Sequence, residues 1–126
     1  MTPKADRGPL LELASTCQSG DSVIVMIVAI VRFSMLKPMT LEEATAVFES
    51  SAPSYQVVDG LRRKHYLLSE DRMTAGGVYL WDSRAQAERL YDDAWRTKLA
   101  ARYGAPPSVE LFDSPVTVDR DVITVG

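Results

Sequence analysis

One cysteine and one histidine are all that this 126-residue chain offers of the two side chains most used for transition metals. Cys17 by itself excludes an intramolecular disulfide framework and fits a reducing, cytoplasmic setting. With His65 as the sole imidazole, the soft ligands are too few for a structural zinc or an iron–sulfur cluster, and no metal is expected. A surplus of positive charge is missing as well. Lys and Arg number 14 against 17 Asp and Glu, a net charge of −3, so there is no electrostatic footprint for nucleic acid. Nor is there an apolar run long enough to span a bilayer as a helix. The longest, SVIVMIVAIV at 22–31, follows Lys4 and Arg7 as a targeting signal would, but Arg32 and Phe33 stand where small cleavage-site residues would be needed. Its Val and Ile content suits a buried strand, and no membrane partner is expected. Rossmann, Walker, calcium-loop and nucleophile-elbow spacings are absent too.

What is present is ordinary globular material, 46% hydrophobic and 25% charged, in a length that suits one domain with a core of its own. Residues 1–25 carry no sustained period, with two Pro and two Gly, and read as an N-terminal extension of little structural weight; Met26 is expected to begin the domain. A first strand is expected over 22–35. Thr40, with Glu43 three residues on, makes a capping box for a helix whose stripe is Leu41, Ala44, Val47 and Phe48 and which Pro53 should end. Asp59-Gly60 turns the chain into a second strand, 61–68. SEDRMT forms a hairpin loop, and a third strand runs over 75–81. Asp82 or Ser83 caps a second helix with a stripe of Ala87, Leu90, Tyr91, Ala94 and Trp95, stopped by Gly104 with Pro106 and Pro107. SVELFDSPVTV is the fourth strand, and residues 119–126 are a tail or a short fifth.

That order, βαββαβ, predicts a ferredoxin-like α+β sandwich over 26–118, with two helices on one face of a four-stranded antiparallel sheet. The sheet's other face is apolar as well, through Val28, Ile30, Val78 and Leu80. A bare apolar face of that kind asks for a partner, most simply a second copy about a two-fold axis.

The stretch GLRRKHYLLSE followed by AGGVYLWDS carries a resemblance. Gly60-Leu61, Lys64, Ser69-Glu70, Ala75-Gly76-Gly77, Tyr79-Leu80 and Trp81, with VELFDSP near the end, resemble the YdhR-type mono-oxygenase family over roughly residues 26–118. The resemblance implies the dimeric α+β barrel shared with the antibiotic-biosynthesis mono-oxygenases. It further implies a cofactor-independent oxygenase acting on an aromatic or quinol-like small molecule, whose anion reacts with O₂ directly. The haem-degrading branch of that group places a Trp similarly, but needs a His on the second helix and an Asn on the first strand; Tyr91 and Trp95 occupy the helix here and the strand has no Asn. The same fold serves non-enzymatic ligand-binding or stress-related proteins, and isomerases or lyases, which are the alternative functions.

Tyr79 and Trp81, two apart, share one face of their strand, which is expected to meet Tyr91 and Trp95 from the second helix. These four rings either line a flat substrate-binding gap or fill the core. His65 and Tyr66, the candidate proton acceptors, face opposite sides of the second strand, and the hairpin register decides which joins the rings. Pairing Leu68 with Gly76 would set His65 opposite Tyr79, and a one-residue slip would substitute Tyr66. A strand histidine bonded to a neighbour is the plainer reading of His65. The RRK run at 62–64 reads as a solvated strand edge more readily than as a guide for an anionic substrate.

Overall fold

The computed structural model describes residues 25–126. The expected extension therefore lies, but for Val25, outside the described residues. The first strand, β1, is Met26–Ser34, and its period of two sorts the side chains: Ile27, Ala29, Val31 and Phe33 are buried, while Val28 and Ile30 are half-buried on the opposite face.

Helix α1, Leu41–Gln56, begins on the capping box read from the sequence. The Glu43 N–H donates to Thr40 Oγ1 at 3.0 Å, and the Thr40 N–H donates to Glu43 Oε1 at 2.9 Å. Its inward stripe holds Ala44, Val47 and Phe48, but Leu41 is exposed, because the first turn stands clear of the sheet. Pro53 does not end the helix, as expected, but sits within it. Proline removes one backbone donor. The helix continues another turn because Tyr55 is anchored, its ring against Tyr66 and Tyr79 and its hydroxyl accepting from Trp95 Nε1 at 3.1 Å.

Strands β2, Leu61–Leu68, and β3, Thr74–Trp81, form the hairpin; β4, Ser108–Ser114, lies on the far side of β1. All neighbours are antiparallel and the order is β2-β3-β1-β4. The turn is closed by the Arg72 N–H donating to the Ser69 carbonyl, with Arg72 in the left-handed region at φ 67°. Gly76 lies so close to β1 that a Cβ there would collide with the Val31 carbonyl oxygen, which makes the absence of a side chain a condition of β1–β3 pairing.

The second helix is two helices. Helix α2, Arg84–Leu90, is capped by Ser83; α3, Asp93–Tyr103, starts afresh on Asp92, whose Oδ1 accepts the Trp95 N–H at 2.8 Å. The carbonyl of Tyr91 left over at the break accepts from Arg96 Nε. Gly104, at φ +90°, ends α3. The last stretch also departs from expectation. Pro115 interrupts the fourth strand, and β5, Val116–Val118, turns back to pair with β6, Ile123–Val125, as a separate hairpin. With its helices packed against one face of the sheet, the chain has a ferredoxin-like α+β fold, and the core lies between that face and the helices.

Candidate active site

The hairpin register decides which side chains of β2 meet the core. Leu68 pairs with Ala75, Tyr66 with Gly77, His65 with Val78 and Lys64 with Tyr79. This is one step from the expected Leu68–Gly76 pairing, in the direction that places Lys64 rather than His65 or Tyr66 opposite Tyr79. Lys64 and Tyr66 therefore face the helices, together with Tyr79 and Trp81. His65 is exposed on the helix-free face beside Val78. As a candidate proton acceptor it is on the wrong side of the sheet for these rings.

A cavity of about 530 Å³ opens between the sheet, the C-terminal half of α1 and the inner face of α3. Of the site residues expected from the sequence, Tyr66, Tyr79 and Trp95 line it. Trp81, fully buried, and Tyr91 are not among the lining residues and form packed core, joined by a hydrogen bond of 3.0 Å from Trp81 Nε1 to the Tyr91 hydroxyl. The four expected rings are in contact as a chain. Tyr79 stacks nearly parallel to Trp81 with centroids 6.4 Å apart, and Tyr91 meets Tyr79, Trp81 and Trp95 edge-on.

A lining residue that the sequence named in the family-like stretch but did not assign to the site is Lys64. Its Nζ stands 3.4 Å from the Tyr55 ring centroid, 3.8 Å from that of Tyr66 and 4.6 Å from that of Tyr79. Gly77 makes the room: a Cβ there would stand 3.1 Å from the Tyr79 ring and 3.3 Å from Lys64 Cε. No carboxylate among the described residues pairs with this amine. Burial pulls the Lys64 ammonium down from 10.5 to about 7, so near neutrality a substantial share of it is free amine. Ring faces attract the ammonium, but they cannot accept its hydrogen bonds as water does. The sequence did hold a signal, since Lys64 stands in the family-like GL-x-x-K stretch; the adjoining arginines masked it as part of a solvated basic run.

The tyrosines titrate the other way. Burial pushes the Tyr79 hydroxyl well above the ordinary phenol range, and the neighbouring Tyr55 and Tyr91 add to this. Burial raises Tyr66 as well, against the opposing hydrogen bond of 2.8 Å with Ser51 Oγ. These hydroxyls stay protonated near neutral pH, whereas the Lys64 amine can take up a proton there. Among the described residues no cluster of His, Cys, Asp and Glu is arranged to hold a metal ion, and no helix is long and apolar enough to cross a membrane.

Among curated protein sequences no match is found. Solved structures share the fold at low identity. A monooxygenase of Streptomyces coelicolor, from the gene ActVA-Orf6 and in complex with nanaomycin D, superposes with a TM-score of 0.57 at 17% identity, covering 75% of this chain and 92% of that one. SnoaB, a cofactor-independent oxygenase of Streptomyces nogalater, gives 0.56 at 17% identity, covering 75% and 98%. A protein of unknown function from Nitrosomonas europaea gives 0.58 at 17% identity, covering 76% and 95%. The family model described as "Putative mono-oxygenase ydhR" matches residues 28–112, which span β1 through most of β4 and so carry the whole cavity. The chain belongs to the YdhR mono-oxygenase family.

Proposed function

We propose that this protein is a cofactor-independent mono-oxygenase for a flat phenolic, anthrone- or quinol-like molecule, with Lys64 as the general base. The observation that carries the reading is an amine set among tyrosine rings in the cavity, with no carboxylate partner among the described residues. In the proposed reaction the neutral amine takes a proton from the substrate, leaving an electron-rich carbanion or phenolate in a poorly hydrated site. The anion of an anthrone, or of a phenol with a free para C–H, passes an electron to O₂. The radicals combine at that carbon as a peroxide anion that takes the proton back from the Lys64 ammonium, and loss of water from the hydroperoxide leaves the quinone. One O₂ is consumed, with one oxygen atom in product and one in water. Tyr79 and Trp95 would orient the ring system, and Tyr66, whose proton goes to Ser51 Oγ because the Ser51 proton goes to the Phe48 carbonyl, would accept a hydrogen bond from a substrate hydroxyl. Likeness in fold to two oxygenases supports this class of reaction.

The test is oxygen uptake with dithranol and with 1-naphthols that have a free para position, without added flavin or metal, above the autoxidation blank. We expect enzyme-dependent uptake of one O₂ per quinone formed. Tight binding of such compounds without any uptake would replace the enzyme by a binding protein.

The helix-free face fits the same proposal. Val28, Ile30, Val78 and Leu80 are only half-buried there, flanked by Leu67 and Phe112, each 41% exposed. Paired residues share a face, so these side chains form one continuous apolar patch. We propose that two copies cover it as a homodimer. Light scattering at micromolar concentration should give twice the chain mass, with Leu80→Asp giving monomer; a wild-type monomer would overturn the dimer.

A further inference from the structure

We propose that the substrate of this cavity is an aromatic acid, whose carboxylate is held at the cavity mouth by Lys98 and Arg102 while its ring lies against Trp95 and Tyr79. This rests on the reading of the cavity as a ligand site and narrows the substrate class. Helix α3 turns one stripe toward the cavity, Trp95, Lys98, Leu99, Arg102 and Tyr103, at spacings of three and four. The apolar members are packed, and the two cations lie four residues apart, exposed beside them. Among the described residues, every charged residue lining the cavity is basic, Lys64, Lys98 and Arg102, in a chain where acids outnumber bases by 17 to 14. That local reversal of sign is what an anionic ligand requires.

Position favours the α3 side of the mouth for the anion. Opposite, on α1, the hydroxyls of Ser50 and Ser54 already donate to the backbone carbonyls of Val47 and Ser51, so they have no proton left for a carboxylate. Lys98 and Arg102 make no ion pair among the described residues and bring donors only. The charge of Arg102 reaches across the mouth, since it favours the ionised form of both Tyr66 on β2 and Tyr103 on its own helix. A carboxylate at this point leaves the attached ring within the aromatic walls, over the sheet floor that carries Lys64.

The experiment uses a matched pair, anthraquinone-2-carboxylate and anthraquinone-2-carboxamide, followed by calorimetry and by quenching of tryptophan fluorescence. Wild-type protein should bind the carboxylate about tenfold more tightly or better at low ionic strength, with the ratio shrinking as salt is raised. In the double variant Lys98→Gln/Arg102→Gln the ratio should fall close to one. The cause would be lost affinity for the carboxylate, while Trp95 and Tyr79 still hold the carboxamide. Both side chains are exposed, so circular dichroism should show an unchanged fold. Equal binding of the two compounds by wild-type protein would overturn the anion site and leave the cavity reading standing. Binding of neither would overturn both. A preference that persists in the double variant would assign the anion to Lys64 instead and overturn the site on α3.

Discussion

Lys64→Met should abolish oxygen uptake and at the same time make the protein more stable. The loss follows from chemistry: removal of a general base lowers the rate by about 10²–10⁴. The stability follows from the amine's surroundings. In the unfolded chain it titrates near 10.5, in the folded one near 7. Between those values the unfolded state binds a proton that the native state does not, so this group makes stability rise with pH from about 7 to 10.5. Below pH 7 its full penalty is present and no longer changes. One pKa unit is worth about 1.4 kcal/mol. The three ring faces return part of this to the ammonium, yet even a single unit of net penalty leaves Met the more stable occupant. Melting curves at pH 7 and pH 10 should therefore differ less in Lys64→Met than in wild type, with the variant melting higher at pH 7. Uptake by wild type should climb with pH through about 7 as the amine loses its proton. Lys64→Arg separates charge from basicity, because a guanidinium stays protonated; it should be as inactive as Met. Full activity in Lys64→Met would sink the proposed mechanism, and a less stable variant would sink the account of the buried amine.

Trp81→Ala should bring the protein close to unfolding without any direct effect on the cavity. The indole is 0% exposed, stacks on Tyr79 and meets Tyr91 edge-on. Replacing a buried Trp by Ala costs about 3–5 kcal/mol. The Tyr91 hydroxyl loses its donor as well, which adds about 1 kcal/mol. Against a typical total of roughly 5–15 kcal/mol this is a large fraction. The melting temperature should fall on the order of 10–20 °C. Trp81→Phe keeps most of the packing and should recover the larger part of that loss. Because Trp81 is not a lining residue whereas Trp95 is, Trp81→Phe should retain ligand affinity and Trp95→Phe should reduce it. Urea titrations of the two Trp81 variants, with ligand binding by calorimetry, test both statements. A loss under 1 kcal/mol in Trp81→Ala would contradict the packing described here.

Much of the fold was legible in local patterns because local physics produces it. The capping box at Thr40, a cap at Asp82 or Ser83 (the structure takes Ser83), the stop at Gly104 and the second strand over 61–68 depend on neighbours a few residues away. Element order and the apolar face followed from period and composition. The break at Asp92 could have been read too, since Asp92 is a good N-cap, but the apolar stripe runs through it unbroken. What tertiary structure alone decided was the register of β2 on β3, and with it the chemistry. Strand β2 carries apolar or aromatic side chains at both parities, and Gly76 and Gly77 offer no side chain to match against them, so alternation does not choose between registers. One step of pairing exchanges His65 for Lys64. Only the closed hairpin, with α1 laid over it, shows that the third member of a basic run leaves water and enters a box of tyrosines. A lysine's long aliphatic stem suits a solvated edge and a buried site equally well. Its setting, and so its protonation, comes from Tyr55, Tyr66 and Tyr79, which lie on three different elements and meet only in the folded chain.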